Sequence, residues 1–188
     1  MKKLLENILT EPLPYSDFRN PVTRCLTSDK ELDLLYSLIE GGTYDFTQTV
    51  FEIGTWRGGT ARKLAAKSYL SGKLFVTCDP GRNPEIDEMF EPIKNIVTYY
   101  QDGSLNVLKG LNNIWLCYVD GLHEQNQIKK EITALYPKIV QGGRIAFHDC
   151  SRVEGVDKAI DNYKSENPDH FKEETSPCEI IRILRKEN

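Results

Sequence analysis

The chain has 188 residues, 39% of them hydrophobic and 28% charged, a size and balance that suit one globular domain with short extensions. A formal net charge of -4 argues against a protein held to nucleic acid by a basic face, and no apolar run is long enough to span a bilayer. Five scattered cysteines, Cys25, Cys78, Cys117, Cys150 and Cys178, form no CxxC pair, which disfavours a zinc knuckle or a disulfide framework and points to thiols in a reducing, cytoplasmic setting.

Residues 1–27 read as an N-terminal arm. MKKLLENILT begins like a leader, but Glu6 and Asn7 interrupt its apolar run and no cleavage site follows. Leu4, Leu5, Ile8 and Leu9 suit one amphipathic turn or two, and Pro12, Pro14 and Pro21 stop a helix beyond them. The arm has three open readings: a cover over a site, a contact that makes a homo-oligomer, or neither.

Residues 28–188 read as the functional domain. Ser28 and Glu31 spell a capping box ahead of a helix that carries Leu32, Leu34, Leu35 and Leu38 and stops at Gly41-Gly42. Thr49 to Ile53 is apolar and β-branched enough for a central strand. Gly54, Gly58 and Gly59 then allow a sharp turn, and Ala61, Leu64, Ala65 and Tyr69 follow at helical spacing. Leu74 to Cys78 is a second strand, ending at Asp79. Residues 82–95 suit a short helix and a loop. Ile96 to Tyr100 is a third strand, followed by Asp102, Gly103, Ser104 and a short helix to Leu111. Ile114 to Val119 is a fourth, ending in Asp120-Gly121-Leu122-His123.

The next helix puts Ile128, Ile132, Leu135 and Ile139 on one face, with a kink or restart at Pro137 and an end at Gly142-Gly143. Ile145 to Phe147 is the core of a fifth strand, ending in His148-Asp149. Val153 to Tyr163 reads as a helix. Phe171 to Thr175 and Ile180 to Leu184 close the chain as two strands around Ser176-Pro177, with His170 before them as a surface residue.

Strands alternating with helices predict an α/β fold: a doubly wound, mostly parallel, seven-stranded sheet with right-handed crossovers and an antiparallel pair at one edge. Polar residues collect at the carboxyl ends of its strands: Glu52, Asp79, Asp102, Ser104, Asp120, His123, His148 and Asp149. In such a sheet those ends share the edge where ligands bind. Gly54-Thr55-Trp56-Arg57-Gly58-Gly59 departs from the G-x-G-x-x-G of nicotinamide sites, because Trp56 stands where a second glycine would admit a pyrophosphate. Glu52 would repel phosphate and suit an amine-bearing ligand, and Asp79 can accept from ribose hydroxyls.

Glu52-x-Gly54-x-x-x-Gly58-Gly59, with the next strand ending in Asp79, resembles the S-adenosylmethionine site of class I methyltransferases. The order Asp120-Gly121-Leu122-His123, a helix, Gly142-Gly143, then Phe147-His148-Asp149 is similar to their small-molecule O-methyltransferase branch of the macrocin and catechol type, whose fold cephalosporin-hydroxylase-like proteins share. The resemblance covers roughly residues 30–185. It implies that Glu52, Gly54, Thr55 and Gly58 surround the methionine part of the cofactor, that Asp79 binds the ribose, and that Asp102 and Ser104 sit near the adenine. It further implies His123 as general base, Asp120 as substrate contact or metal ligand, and Asp149 as second ligand to Mg²⁺. His148 has two readings, a substrate contact at the catalytic edge or a strand-end residue that steadies the loop. Gln125 and Cys150 depart from the branch, which often has an aromatic and an oxygen ligand at those positions. The expected acceptor is a hydroxyl of a small molecule, such as a sugar or secondary metabolite, and not a nucleic acid or membrane. The competing readings are a cofactor-binding protein without transfer activity and an NAD-linked oxidoreductase, the latter disfavoured by Trp56.

Overall fold

The computed structural model describes residues 1–11 and 27–187; Pro12, Pro14, Pro21 and Cys25 lie outside the described residues. Helices α1 (Lys2–Thr10) and α2 (Asp29–Glu40) lead into β1 (Thr49–Ile53), α3 (Gly59–Leu70), β2 (Leu74–Cys78), α4 (Glu85–Phe90), β3 (Val97–Tyr100) and α5 (Ser104–Val107). Then come β4 (Ile114–Val119), α6 (Gln125–Leu135), β5 (Ile139–Phe147), α7 (Glu154–Glu166), β6 (Phe171–Glu174) and β7 (Arg182–Lys186).

The strands form one seven-stranded sheet in the order β3-β2-β1-β4-β5-β7-β6, parallel from β3 to β5 and antiparallel where β7 pairs with β5 and β6. This is the expected fold. Every residue of β1 and β4 is buried, which explains why both are continuous apolar runs instead of alternating ones. Helices α1 to α4 cover one face, around Leu35, Leu64 and Phe90, and α5 to α7 the other, around Leu108, Ile132 and Ile160.

The capping box forms: Glu31 N–H donates to Ser28 Oγ, and Ser28 N–H to Glu31 Oε2 at 2.6 Å. The first residues make a nine-residue helix, more than the one or two turns expected, because the partly apolar stripe finds a partner. Leu5 and Ile8 are fully buried on α3. The buried Lys63 of α3 donates to the carbonyls of Ile8, Leu9 and Glu11, capping the helix end.

Two boundaries differ from expectation. Ile139 and Gly142-Gly143 belong to β5 and not to the preceding helix, which ends at Leu135 before Pro137. Ile114 pairs with Ile139 and Leu116 with Arg144, so residues 140–143 bulge out of the ladder, and the glycines accommodate that excursion. The last strand starts at Arg182, not at residue 180. His170 is half-buried: its ring stacks on Tyr136 with centroids 3.7 Å apart, and Tyr163 Oη lies 2.9 Å from its Nδ1.

Candidate active site

Strand β1 lies between β2 and β4, and crossovers leave it in both directions, so the carboxyl ends of these strands open a crevice. A cleft of about 900 Å³ occupies it. Its walls include Gly54, Thr55, Trp56, Asp79, Ser104, Asp120, His123, Gln127, Glu131, His148, Asp149 and Arg152. The geometry starts at Gly54, which has φ +102°; a Cβ there would stand 2.1 Å from the Asp120 carbonyl oxygen. Only glycine lets the end of β1 lie against the end of β4. Gly58 (φ +82°) serves packing instead: its missing Cβ makes room for Phe90, and it lies outside the cleft walls.

Glu52 does not line the cleft. It is buried beneath it, accepting from Thr77 Oγ1 at 2.6 Å, and the Thr77 and Thr55 hydroxyls are 2.6 Å apart. Glu52 therefore reaches the cleft through two threonines. Burial pushes its carboxyl up to about 8, against the Thr77 hydrogen bond and with help from the carboxylates of Asp120 and Asp79. Asp79 accepts Trp56 N–H and Gly81 N–H, each at 2.8 Å, and so ties the turn after β1 to the end of β2. Asp102 stands outside the cleft, accepting Gly103 N–H and Asn106 Nδ2 ahead of α5. Its neighbour Ser104 faces in, and donates to Glu131 Oε1 at 2.5 Å.

At the other side, Asp120, His123 and Asp149 converge, with one potential ligand atom from each within 4.8 Å of the others. His123 Nε2 lies 3.8 Å from Asp120 Oδ1 and 3.6 Å from Asp149 Oδ2, and makes no hydrogen bond among the described residues. Asp149 holds φ +56°, a conformation that aspartate tolerates better than most residues and that sets the direction of its carboxylate. His148 is buried, 3.0 Å from Asp120 Oδ1 through Nδ1 and 3.5 Å from Glu31 Oε2 through Nε2. Burial opposes its charge, but the Asp120 hydrogen bond and the carboxylates of Asp120, Asp149 and Glu31 outweigh it and raise its pKa. A group held toward the cation is a poor proton acceptor and a good orienting partner for Asp120, whose Oδ2 also accepts from Tyr118 Oη at 3.3 Å. Cys150 turns away into the core, with its thiol pushed up to about 12 by burial.

Three cleft residues with charged or amide side chains, and one behind the cleft wall, have no counterpart among the residues expected from sequence. Gln127 comes from the first turn of α6, Glu131 from one turn further on and Arg152 from the loop after β5. Glu31 comes from α2 and stands against His148. Its capping box accounts for Glu31 in the sequence, and the other three stand away from strand ends. The spacing of Gln127 and Glu131, one helical turn apart and next to the apolar Ile128 and Ile132, is the signal that could have found that pair.

A family model described as a methyltransferase domain matches residues 51–150. No curated protein matches by sequence. Among solved structures, the O-methyltransferase NovP is 15% identical with a TM-score of 0.69, over 85% of this chain and 80% of its own. A methyltransferase from Geobacter sulfurreducens is 14% identical with a TM-score of 0.67, over 86% and 80%. CalS11, described as a TDP-rhamnose 3'-O-methyltransferase of calicheamicin biosynthesis, is 16% identical with a TM-score of 0.62, over 98% and 92%.

Proposed function

This chain belongs to the methyltransferase-domain family, and we propose that it binds S-adenosylmethionine in the cleft and methylates a hydroxyl of a small molecule. The observation that carries the cofactor is the charge of the walls: among the described residues, Asp79, Asp120, Glu131 and Asp149 face one arginine, Arg152. Such walls repel a pyrophosphate and suit a ligand bearing an amine and a sulfonium. Ribose hydroxyls find an acceptor in Asp79, and the Gly54 turn keeps the cleft open at the end of β1.

The bound cofactor supplies a methyl group activated by a sulfonium. The chain's part is to hold an acceptor oxygen in line with it and to take the hydroxyl proton. His123 Nε2 is the proton acceptor, a buried atom with no hydrogen bond among the described residues, and the imidazolium it becomes lies between Asp120 and Asp149. His148 is a positioning residue for Asp120. Asp120 and Asp149 fit Mg²⁺, which is commonly held by one or two carboxylates and otherwise by water and substrate oxygens. An ion there would lower the pKa of a bound hydroxyl. CalS11, by its description, acts on a nucleotide-linked sugar, which supports sugars as the first acceptors to try.

The test is turnover with a panel of nucleotide sugars and phenols, followed by mass spectrometry. Acceptor-dependent S-adenosylhomocysteine and a methyl ether are expected, and chelation should abolish them while calorimetric cofactor binding persists. Binding of NAD with no heat from S-adenosylmethionine or its demethylated product overturns the cofactor reading; full activity after chelation removes the metal alone.

A further inference from the structure

We infer that Glu131, by fixing the polarity of Ser104 and Gln127, makes the far end of the cleft selective for a 6-amino purine over a 6-oxo purine. This rests on the cofactor proposed for the cleft. Glu131 is 2% exposed, and its Oε1 accepts two hydrogen bonds, from Ser104 Oγ at 2.5 Å and Gln127 Nε2 at 2.9 Å. Its Oε2 is buried with no hydrogen-bond partner among the described residues. A carboxyl so enclosed is costly to keep and does little for a helix that already buries Ile128, Ile132 and Leu135.

The arrangement has a chemical consequence. A serine hydroxyl has one proton, and here Glu131 takes it, so Ser104 offers the cleft lone pairs only. The Gln127 amide must turn its nitrogen toward Glu131, and that nitrogen also approaches Ser104 Oγ at 3.4 Å. The carbonyl end is therefore the one left for a ligand. Two groups that could each donate or accept become acceptors, and the ligand edge that meets them must donate. The carboxylate accepts both bonds through Oε1, and a neutral carboxyl does the same when its proton sits on Oε2.

Strand order says which part of the cofactor lies there. In the order β3-β2-β1, Ser104 follows β3, the outermost of the three, with Asp79 at the end of β2 and Gly54 and Thr55 at the end of β1. A ribose over Asp79 puts the methionyl part over β1 and the base over Ser104. The donor on the base is the exocyclic amine of adenine; hypoxanthine carries a carbonyl oxygen at the same position and would face two acceptors.

Calorimetry with S-adenosylhomocysteine and S-inosylhomocysteine tests this. The wild type should prefer the adenosyl ligand by about tenfold or more, the scale of one mismatched hydrogen bond. In Glu131→Gln the new amide can donate to Ser104, which frees the hydroxyl proton, so the preference should fall to about threefold or less. Gln127→Met, at a half-exposed position, should lower it as well. A purely structural role would weaken both ligands together and leave their ratio unchanged. A wild type that binds both equally, or variants that keep the full preference, overturns the inference while leaving the cofactor reading intact; a wild type that binds neither overturns the cofactor reading itself.

Discussion

His123 and Trp56 are the two residues whose chemistry and conformation can be weighed one at a time. His123 Nε2 has two carboxylates within 4 Å and no hydrogen bond among the described residues, so the fold leaves it available to a substrate proton. His123→Ala should lower kcat by about 10²–10⁴-fold, the usual contribution of a general base, with cofactor affinity nearly unchanged. Single-turnover transfer across pH checks this, and a wild-type rate with an unchanged profile would reduce His123 to a structural residue. Trp56 holds φ +45° while 40% exposed. Relief of a left-handed conformation by glycine returns about 1–2 kcal/mol. Against that stand about 0.5–1 kcal/mol of added chain entropy and about 0.5–1 kcal/mol for the cation–π contact of Arg57, 4.9 Å from the ring centroid. These nearly cancel, so Trp56→Gly should change the unfolding free energy by less than about 1 kcal/mol in denaturant titration. A loss above about 2 kcal/mol would mean that the indole is a packing residue after all.

Elements are tied together here by a few cations at helix and strand ends. Lys63 holds the end of α1 through three carbonyls, and α1 has no basic residue of its own in its last turn. Lys63→Met keeps the aliphatic stem and removes the cap. Amides in residues 5–10 should then exchange at least about tenfold faster while β1 and β4 stay protected, because the lost hydrogen bonds amount to about 1–2 kcal/mol of local stability. Equal protection in the variant would show that Leu5 and Ile8 alone hold the helix. Arg182 plays the same part at the other end of the sheet. It makes a bidentate pair with Glu173 of β6 and reaches Asp157 and Asp161 of α7, so that β7 is locked to an edge strand and a helix at once. Arg182→Ala leaves three carboxylates without their shared cation and should cost about 2 kcal/mol in chemical denaturation. The same scale shows why element boundaries failed where they did. Ile139 falls at the helical spacing of Ile128, Ile132 and Leu135, and only its pairing with Ile114 across the sheet assigns it to β5.

For the whole molecule, Glu52, His148 and Glu173 are among the groups that give stability a direction with pH. Glu52 is raised from 4.5 to about 8 by burial, so between those values the native state keeps a proton that the unfolded chain has lost, and stability falls as pH rises through that window. His148, raised by the carboxylates around it despite its burial, adds a loss in the same direction above its ordinary value of 6.5. Glu173 runs the other way: the Arg182 hydrogen bonds, opposed by burial and joined by Lys164, lower it to about 2, and its contribution is present above 4.5 and lost as pH falls toward 2. Glu52→Gln should therefore flatten the decline in unfolding free energy between pH 4.5 and 6.5, where His148 does not yet contribute; a slope like that of the wild type would mean that Glu52 is ionised in the native state. The sequence by itself determined the strands, their alternation with helices and the row of polar residues at their carboxyl ends, because apolar runs and the residues that break them are local signals. Only the tertiary structure decided which of those polar groups meet. Glu52 points beneath the cleft and Asp102 away from it, although both sit at strand ends as expected. Glu131 and Glu31 enter from helices, because a helical side chain reaches its neighbours across a packing angle set by the opposite faces of the sheet, and no local spacing encodes that angle.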